Sequence, residues 1–354
     1  MIRAWRRFVG RGEAGWSDGL VVAVVLLAVL ALYLPTLQTD VSGNHAEPTL
    51  DTGEFQIALN VWGTMHPTGY PLYGLVGSGF VHLARLLGAG PATAASLFSL
   101  LWSLGVVVLV ALVVRELGGN AAYGAVAGLA LATTRSFWVH GVVAEVYALG
   151  VFLVAATLWL SLRADRLPWL GVAFGLAVGH HRAAALALPG ALLALLVRGA
   201  PWKVSWREMA GAVLAGAATL GVYLYLPVRA WQGAPWVYGR PDTWEGLVAI
   251  VLAREYAHLM VPQTTPAALG HGLLGAVRVL VEESTPVFLG AGAAGLALWL
   301  AVRREAAVLG PAAVAGAFLG FAAVFPRAVY LPALLLPVLV MAAVGIGLLL
   351  SALA

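Results

Sequence analysis

The chain has 354 residues, of which 61% are hydrophobic and 10% charged, with 20 Lys and Arg against 16 Asp and Glu. Soluble domains devote about a quarter of their residues to charge, so this composition excludes a water-facing globule and defines an all-α polytopic membrane protein. The absence of cysteine also excludes disulfides, thiolate nucleophiles and thiolate metal sites.

In chain order, Arg3, Arg6, Arg7 and Arg11 precede the apolar run Leu20–Leu37. Basic residues stay on the cytoplasmic side, so this first helix runs from inside to outside. Its length, the lack of a small-residue cleavage site and its end at Pro35 and Gln38 mark a retained span rather than a signal peptide. Further spans fall at 92–114, 121–134, 146–162, 168–180, 183–197, 209–227, 284–302, 309–324 and 329–350, which makes about ten helical crossings. On that topology twelve of the 20 basic residues lie inside, while all eight histidines and ten of the 16 acids lie outside. The net positive charge thus reflects membrane sidedness rather than a nucleic-acid partner. Tyr70–Leu87, interrupted by Gly and Pro and carrying His82 and Arg85, fits an interfacial or re-entrant helix. Residues 242–283 alternate charge with helically spaced apolar positions, as expected of a helix lying on the membrane surface. The chain reads as one transmembrane domain over 1–354, with residues 38–91 as its first outer loop and no separate soluble domain.

Chemistry-bearing residues cluster on the outer side. The first outer loop holds Asp40, His45, Glu47, Asp51 and Glu54. Asp51 and Glu54, three apart, share a helical face, and they equally fit a helix N-cap with its capping-box partner. A fixed carboxylate at a helix start can be both. The following MHPTGYP is a turn by its Pro and Gly, and His66 within it has a structural reading as well as a functional one. Arg135, His140 and Glu145 form a second group, and Glu145 is flanked by apolar residues, where ionisable side chains face a cavity or a partner. His180, His181 and Arg182 form a third, and Arg254 with His258, four apart, a fourth on one helical face. Arg327 and Tyr330 precede the last span. Zinc-protease, P-loop, dinucleotide and nucleophile-elbow motifs are absent. Acids that can deprotonate a hydroxyl beside Arg and His that can hold a phosphate describe group transfer from a lipid-linked donor.

These residues carry a resemblance. LDTGEFQIALNVWGTMHPTGYPLYGLV, FWVHGVVAEVYALG, GLAVGHHRAAALALPG and PDTWEGLVAIVLAREY resemble the polytopic protein O-mannosyltransferase-like family of the GT-C glycosyltransferase superfamily, over about residues 20–350. The resemblance implies a GT-C-type helix bundle with interfacial helices in its first outer loop. It also implies an inverting, mannosyltransferase-like enzyme that moves a sugar from a polyprenyl-phosphate donor to a hydroxyl of a protein, lipid or glycan acceptor. Carried onto this chain, Asp51 becomes the catalytic base with Glu54 beside it, and Glu145 the second acidic position. His66, Tyr70, Arg135, Tyr147, His181, Arg182, Arg254, Tyr256, His258 and Arg327 join Glu145 as substrate-binding residues. Two departures stand out: GHHR replaces GNH, making His181 the matching histidine, and HPTGYP replaces HPPGYP. No cofactor is implied with certainty, and a divalent cation is left open. The expected setting is a bacterial inner (plasma) membrane, with both termini cytoplasmic and the site facing outside. The alternative is a transporter or flippase of a polyprenyl-phosphate sugar or another anionic lipid. That reading calls for polar residues along a path through the membrane and for inverted repeats, whereas the polar clusters here are one-sided.

Overall fold

The computed structural model describes residues 16–41, 51–199, 204–326 and 331–354. Their regular structure is helical, with no strand among the described residues. The first described helix is α1 (Trp16–Tyr33). Two shorter helices, α2 (Thr52–Val61) and α3 (Pro71–Leu86), follow before the long α4 (Pro91–Glu116). Next come α5 (Ala121–Ala132), α6 (Arg135–Val142), α7 (Tyr147–Ser161), α8 (Leu167–His180) and α9 (Leu188–Val197). The remainder holds α10 (Trp206–Thr219), α11 (Tyr225–Trp231), α12 (Trp244–Val251), α13 (Pro266–Glu283), α14 (Pro286–Leu298), α15 (Leu309–Val324), α16 (Leu331–Leu334) and α17 (Leu336–Leu353).

Among the described residues six stretches are long and apolar enough to cross a membrane: Asp18–Thr36, Pro91–Glu116, Trp206–Trp231, Pro286–Arg303, Ala306–Val324 and Leu336–Leu353. A seventh is reached if α6 and α7, bent by 115° across a short break, count as one broken span. Ala121–Ala132, Leu167–His180 and Arg182–Val197 are apolar but shorter. The expectation of about ten crossings counted those three helices as full spans, which length alone does not establish. None of the candidate spans falls between residues 37 and 90, the region read as an outer loop with interfacial helices.

The bundle is built around α4, which packs against α2, α3, α5, α6, α7 and α17. Close helix approach comes from small residues, as expected where lipid offers no hydrophobic drive between helices. Gly171 of α8 lies against the backbone of Ala212 on α10, and a Cβ on Gly216 of α10 would stand 2.7 Å from the Gly171 carbonyl oxygen. α14 and α17 meet in the same way at Gly295 and Gly345.

The surface helix expected over 242–283 is divided. α12 stops at Val251, Ala253 takes a left-handed backbone (φ 45°), and Arg254–Leu259 winds as a 3₁₀ turn. Three residues per turn bring i and i+3 into line, so Arg254 and His258 do not share the face that α-helical spacing predicts. His45, Glu47, Arg327 and Tyr330 lie outside the described residues.

Candidate active site

The site begins at the start of α2. Asp51 occupies the N-cap position, yet its carboxylate makes no capping hydrogen bond. Glu54 does not turn back to Asp51 either, so the capping box that the spacing allows is not formed. Both Glu54 oxygens are turned to a residue twelve positions on. Oε1 accepts the backbone N–H of His66 at 2.8 Å, and Oε2 lies 2.8 Å from its Nδ1. A buried carboxylate gains more from two N–H partners than a solvent-side cap would give it.

His66 can be reached because α2 ends sharply. Trp62 is left-handed, and the Gly63 N–H closes onto Ala58. The chain then turns through His66-Pro67-Thr68-Gly69, with the Gly69 N–H donating to the His66 carbonyl at 2.7 Å. Gly69 has φ 83°, and a Cβ there would stand 2.7 Å from Leu226 Cδ1, so both conformation and space call for glycine. Pro71 then starts α3 at a position where a missing N–H costs nothing.

His66 Nε2 faces Asp51 Oδ2 across 3.9 Å. The His66 and Glu54 side chains are buried, whereas that of Asp51 is 45% exposed. The trio is therefore closed behind and open at Asp51. Burial raises the Asp51 pKa; His66 pulls it back and Glu54 pushes it further up. For His66, burial opposes the charged ring, but the Glu54 hydrogen bond and the charges of Glu54, Asp51 and Glu255 outweigh it, so its pKa is raised. Among the described residues, Asp51, Glu54 and His66 are the group whose donor atoms, all within 4.8 Å of one another, could surround a metal ion. With both Glu54 oxygens already on His66, Asp51 Oδ2 and His66 Nε2 are what such an ion would find, a poor match for a hard cation that takes six or more oxygen donors.

Glu145 reaches the same place from the break between α6 and α7. It is 2% exposed; its Oε1 accepts from the Thr52 hydroxyl at 3.1 Å, and its backbone is held by Ser99 Oγ of α4 at 3.2 Å. Its Oε2 has no hydrogen-bond partner among the described residues. Thr52 therefore joins the base of α2 to the second acidic position.

Aromatic rings enclose the trio. Tyr70 lies edge-on to His66 at 5.2 Å and stacks on His181 at 6.1 Å, and Tyr147 meets His181 at 6.2 Å. His180 turns inward, its Nε2 on the Val146 carbonyl at 2.9 Å. From the other side Tyr238 and Tyr256 each come within 6.3 Å of the His66 ring, and the Tyr238 hydroxyl donates to Glu255 at 2.8 Å. Arg182 donates to the Leu252 carbonyl at 2.7 Å, linking the histidine turn to the end of α12. Arg254 is exposed.

The structure thus gathers Asp51, Glu54, His66, Tyr70, Glu145, Tyr147, His181 and Tyr256. Arg135 is tied instead to Glu283 at 3.4 Å with its side chain 70% exposed, and His258 Nδ1 lies on the Glu255 carbonyl. Thr52, Ser99, Tyr238 and Glu255 were missed. Thr52 stood in plain view between Asp51 and Glu54, whereas Tyr238 and Glu255 carry no motif of their own.

A helical membrane chain with a carboxylate–imidazole cluster at the head of its second helix is the class these features define. Residues 51–205 match the family model described as the Protein O-mannosyl-transferase TMEM260 N-terminal domain. Over that stretch the chain is similar to the protein O-mannosyltransferase-like membrane proteins that its motifs resemble. It is 25% identical over 262 residues to mouse (Mus musculus) Protein O-mannosyl-transferase TMEM260, covering 69% of this chain and 36% of that protein. The chain therefore spans about a third of the length of the curated relative it matches. A likeness is also found to the S. cerevisiae protein O-mannosyltransferase Pmt1-Pmt2 complex bound to the sugar donor. It has a TM-score of 0.46 and 18% identity, and covers 67% of this chain and 35% of that one.

Proposed function

We propose that the protein is an inverting GT-C-type glycosyltransferase that moves a sugar from a polyprenyl-phosphate-linked donor to an acceptor hydroxyl on the extracytoplasmic side. The observation that carries this reading is the half-open Asp51 carboxylate at the mouth of a buried Glu54–His66 pair. A base must be accessible to its proton donor and basic enough to take the proton. Burial raises the Asp51 pKa in the required sense.

In this mechanism residues 38–91 form the outer loop that presents Asp51. As the acceptor oxygen bonds to the anomeric carbon, its proton passes to an Asp51 oxygen. The carbon–oxygen bond to the lipid phosphate breaks on the opposite face, and the phosphate leaves with the electron pair. Cationic groups at the rim, Arg182 and Arg254 foremost, stabilise the departing phosphate. Glu145 and the rings of Tyr70, Tyr147, His181 and Tyr256 line the space for the sugar and its lipid phosphate. The protein O-mannosyltransferase names of the relatives favour mannose as the sugar and a protein hydroxyl as the acceptor.

The test is transfer from a polyprenyl-phosphate mannose to a Ser/Thr peptide by the purified full chain. Asp51→Asn keeps shape and removes basicity, and is expected to lower turnover about 100- to 10,000-fold, the contribution typical of a general base. Native turnover in that variant, with transfer by the native chain established, sinks the assignment.

A further inference from the structure

We propose that Glu54 is a positioning residue, not a second base: it clamps His66 by both oxygens and fixes the ring's tautomer, reserving Nε2 for the side that faces Asp51. This deepens the proposed function and rests on it only in assigning Asp51 the role of base.

The clamp follows from hydrogen-bond inventory. A backbone N–H can only donate, so Glu54 Oε1 is committed to His66 N at 2.8 Å. An ionised carboxylate has acceptors and no donor. The proton in the 2.8 Å bond between Oε2 and Nδ1 therefore belongs to the ring. With Nδ1 protonated, Nε2 is the nitrogen whose state is free to differ. It points at Asp51 Oδ2 across 3.9 Å, a gap too long for a direct hydrogen bond.

Such pairing of a histidine with a carboxylate that orients it is how ring nitrogens are assigned tasks elsewhere. Here the surroundings leave the ring little choice. Phe55 lies tilted against it with centroids at 5.5 Å, while Tyr70 at 5.2 Å and Tyr238 and Tyr256 at 6.3 Å stand edge-on. Both Glu54 and His66 are more than nine-tenths buried. A ring so enclosed and doubly tied cannot trade its nitrogens without breaking the clamp.

Glutamine at position 54 gives a distinctive outcome. It has one acceptor oxygen where the clamp needs two. The oxygen must stay with the backbone N–H, which cannot rearrange, so the amide NH₂ faces Nδ1. That nitrogen must then accept, and in the neutral ring the proton moves to Nε2. The same substitution therefore keeps the fold's hydrogen bonds but inverts the ring.

The experiment is ¹⁵N NMR of the full chain with labelled histidine in nanodiscs, at a pH where the ring is neutral. The His66 signal is assigned by its loss in His66→Gln. Native protein is expected to carry the proton on Nδ1 and Glu54→Gln on Nε2. A proton on Nε2 in the native chain, or the same tautomer in both, overturns the proposal. If Glu54→Gln does not fold, the native tautomer decides alone. Peptide mannosylation supplies the second arm. If Glu54 acts through His66, the double variant Glu54→Gln/His66→Gln transfers within about twofold of His66→Gln, whereas multiplied losses overturn the positioning role. If the native chain transfers no sugar, the proposed function fails while the tautomer result still stands.

Discussion

Thr52 is expected to matter out of proportion to its size, and Thr52→Val isolates why. The hydroxyl is fully buried and gives Glu145 Oε1 a hydrogen bond at 3.1 Å, while Glu145 Oε2 has no partner. Valine keeps the shape and removes that donor, so both carboxyl oxygens of a buried acid are left bare. Leaving a buried acceptor unsatisfied costs about 1–3 kcal/mol, and an expected loss of about 2 kcal/mol corresponds to roughly a 30-fold shift in the folding equilibrium. Thr52→Ser keeps the hydroxyl and gives up a buried methyl, worth about 0.8 kcal/mol. Because Thr52 follows Asp51 directly, Thr52→Val is also expected to lower sugar transfer by about tenfold or more, since small displacements of a reacting group are costly. Equilibrium unfolding of the purified protein in detergent, run beside the transfer assay, gives both quantities. A Thr52→Val protein within about 0.5 kcal/mol of native would refute the claim that this bond joins α2 to the bend before α7.

Two further outcomes are expected. His66 has a raised pKa, so its ion pairing stabilises the fold fully below the ordinary histidine value of about 6.5 and loses that contribution as pH rises through the folded value. Asp51, also raised, acts with the same sign, its loss beginning at the ordinary value of 3.8. Between about pH 6 and pH 9 the native protein should therefore lose stability relative to His66→Gln as pH rises; parallel pH profiles of the two would remove this account. Gly171→Leu drives a side chain into the α10 backbone at Ala212, and overpacking of this kind costs about 1–3 kcal/mol or more. The expected reading is a lowered thermal midpoint in detergent, with Gly19→Leu, which meets nothing within 4 Å, as the silent comparison.

The turn at His66 was legible in the sequence because Pro and Gly punctuate it and because a histidine amid apolar residues stands out. What Glu54 does with it was not. An acid three residues after Asp51 fits a capping box and a clamp equally well, and the choice depends on how closely His66 returns to α2. Glu145 was legible as an acid among apolar residues, but its tie to Thr52 spans 93 positions and has no local trace. The break at Ala253 escaped because neither Gly nor Pro marks it: an alanine takes φ 45° there, packed and buried. Full crossings such as Pro91–Glu116 announce themselves by length, whereas Ala121–Ala132 and Leu167–His180 are apolar without being long. Their depth is a property of the bundle and not of their own residues.

The turn that carries His66 is held from far along the chain. Arg229 Nε donates to the Trp62 carbonyl at 2.7 Å, the Tyr225 hydroxyl to Gly63, and Thr64 exchanges bonds with Trp236 and Tyr238. All four braces lie beyond residue 205, where the matched family model ends. The stretch that this model delimits is consequently not a unit that can be excised. A fragment cut at 205 would keep every residue of the carboxylate–imidazole trio and lose the buttress that holds its loop in register. Grafts and chimaeras of this protein have to carry 225–238 along with 51–205, because the family model and the mechanical support draw their borders in different places.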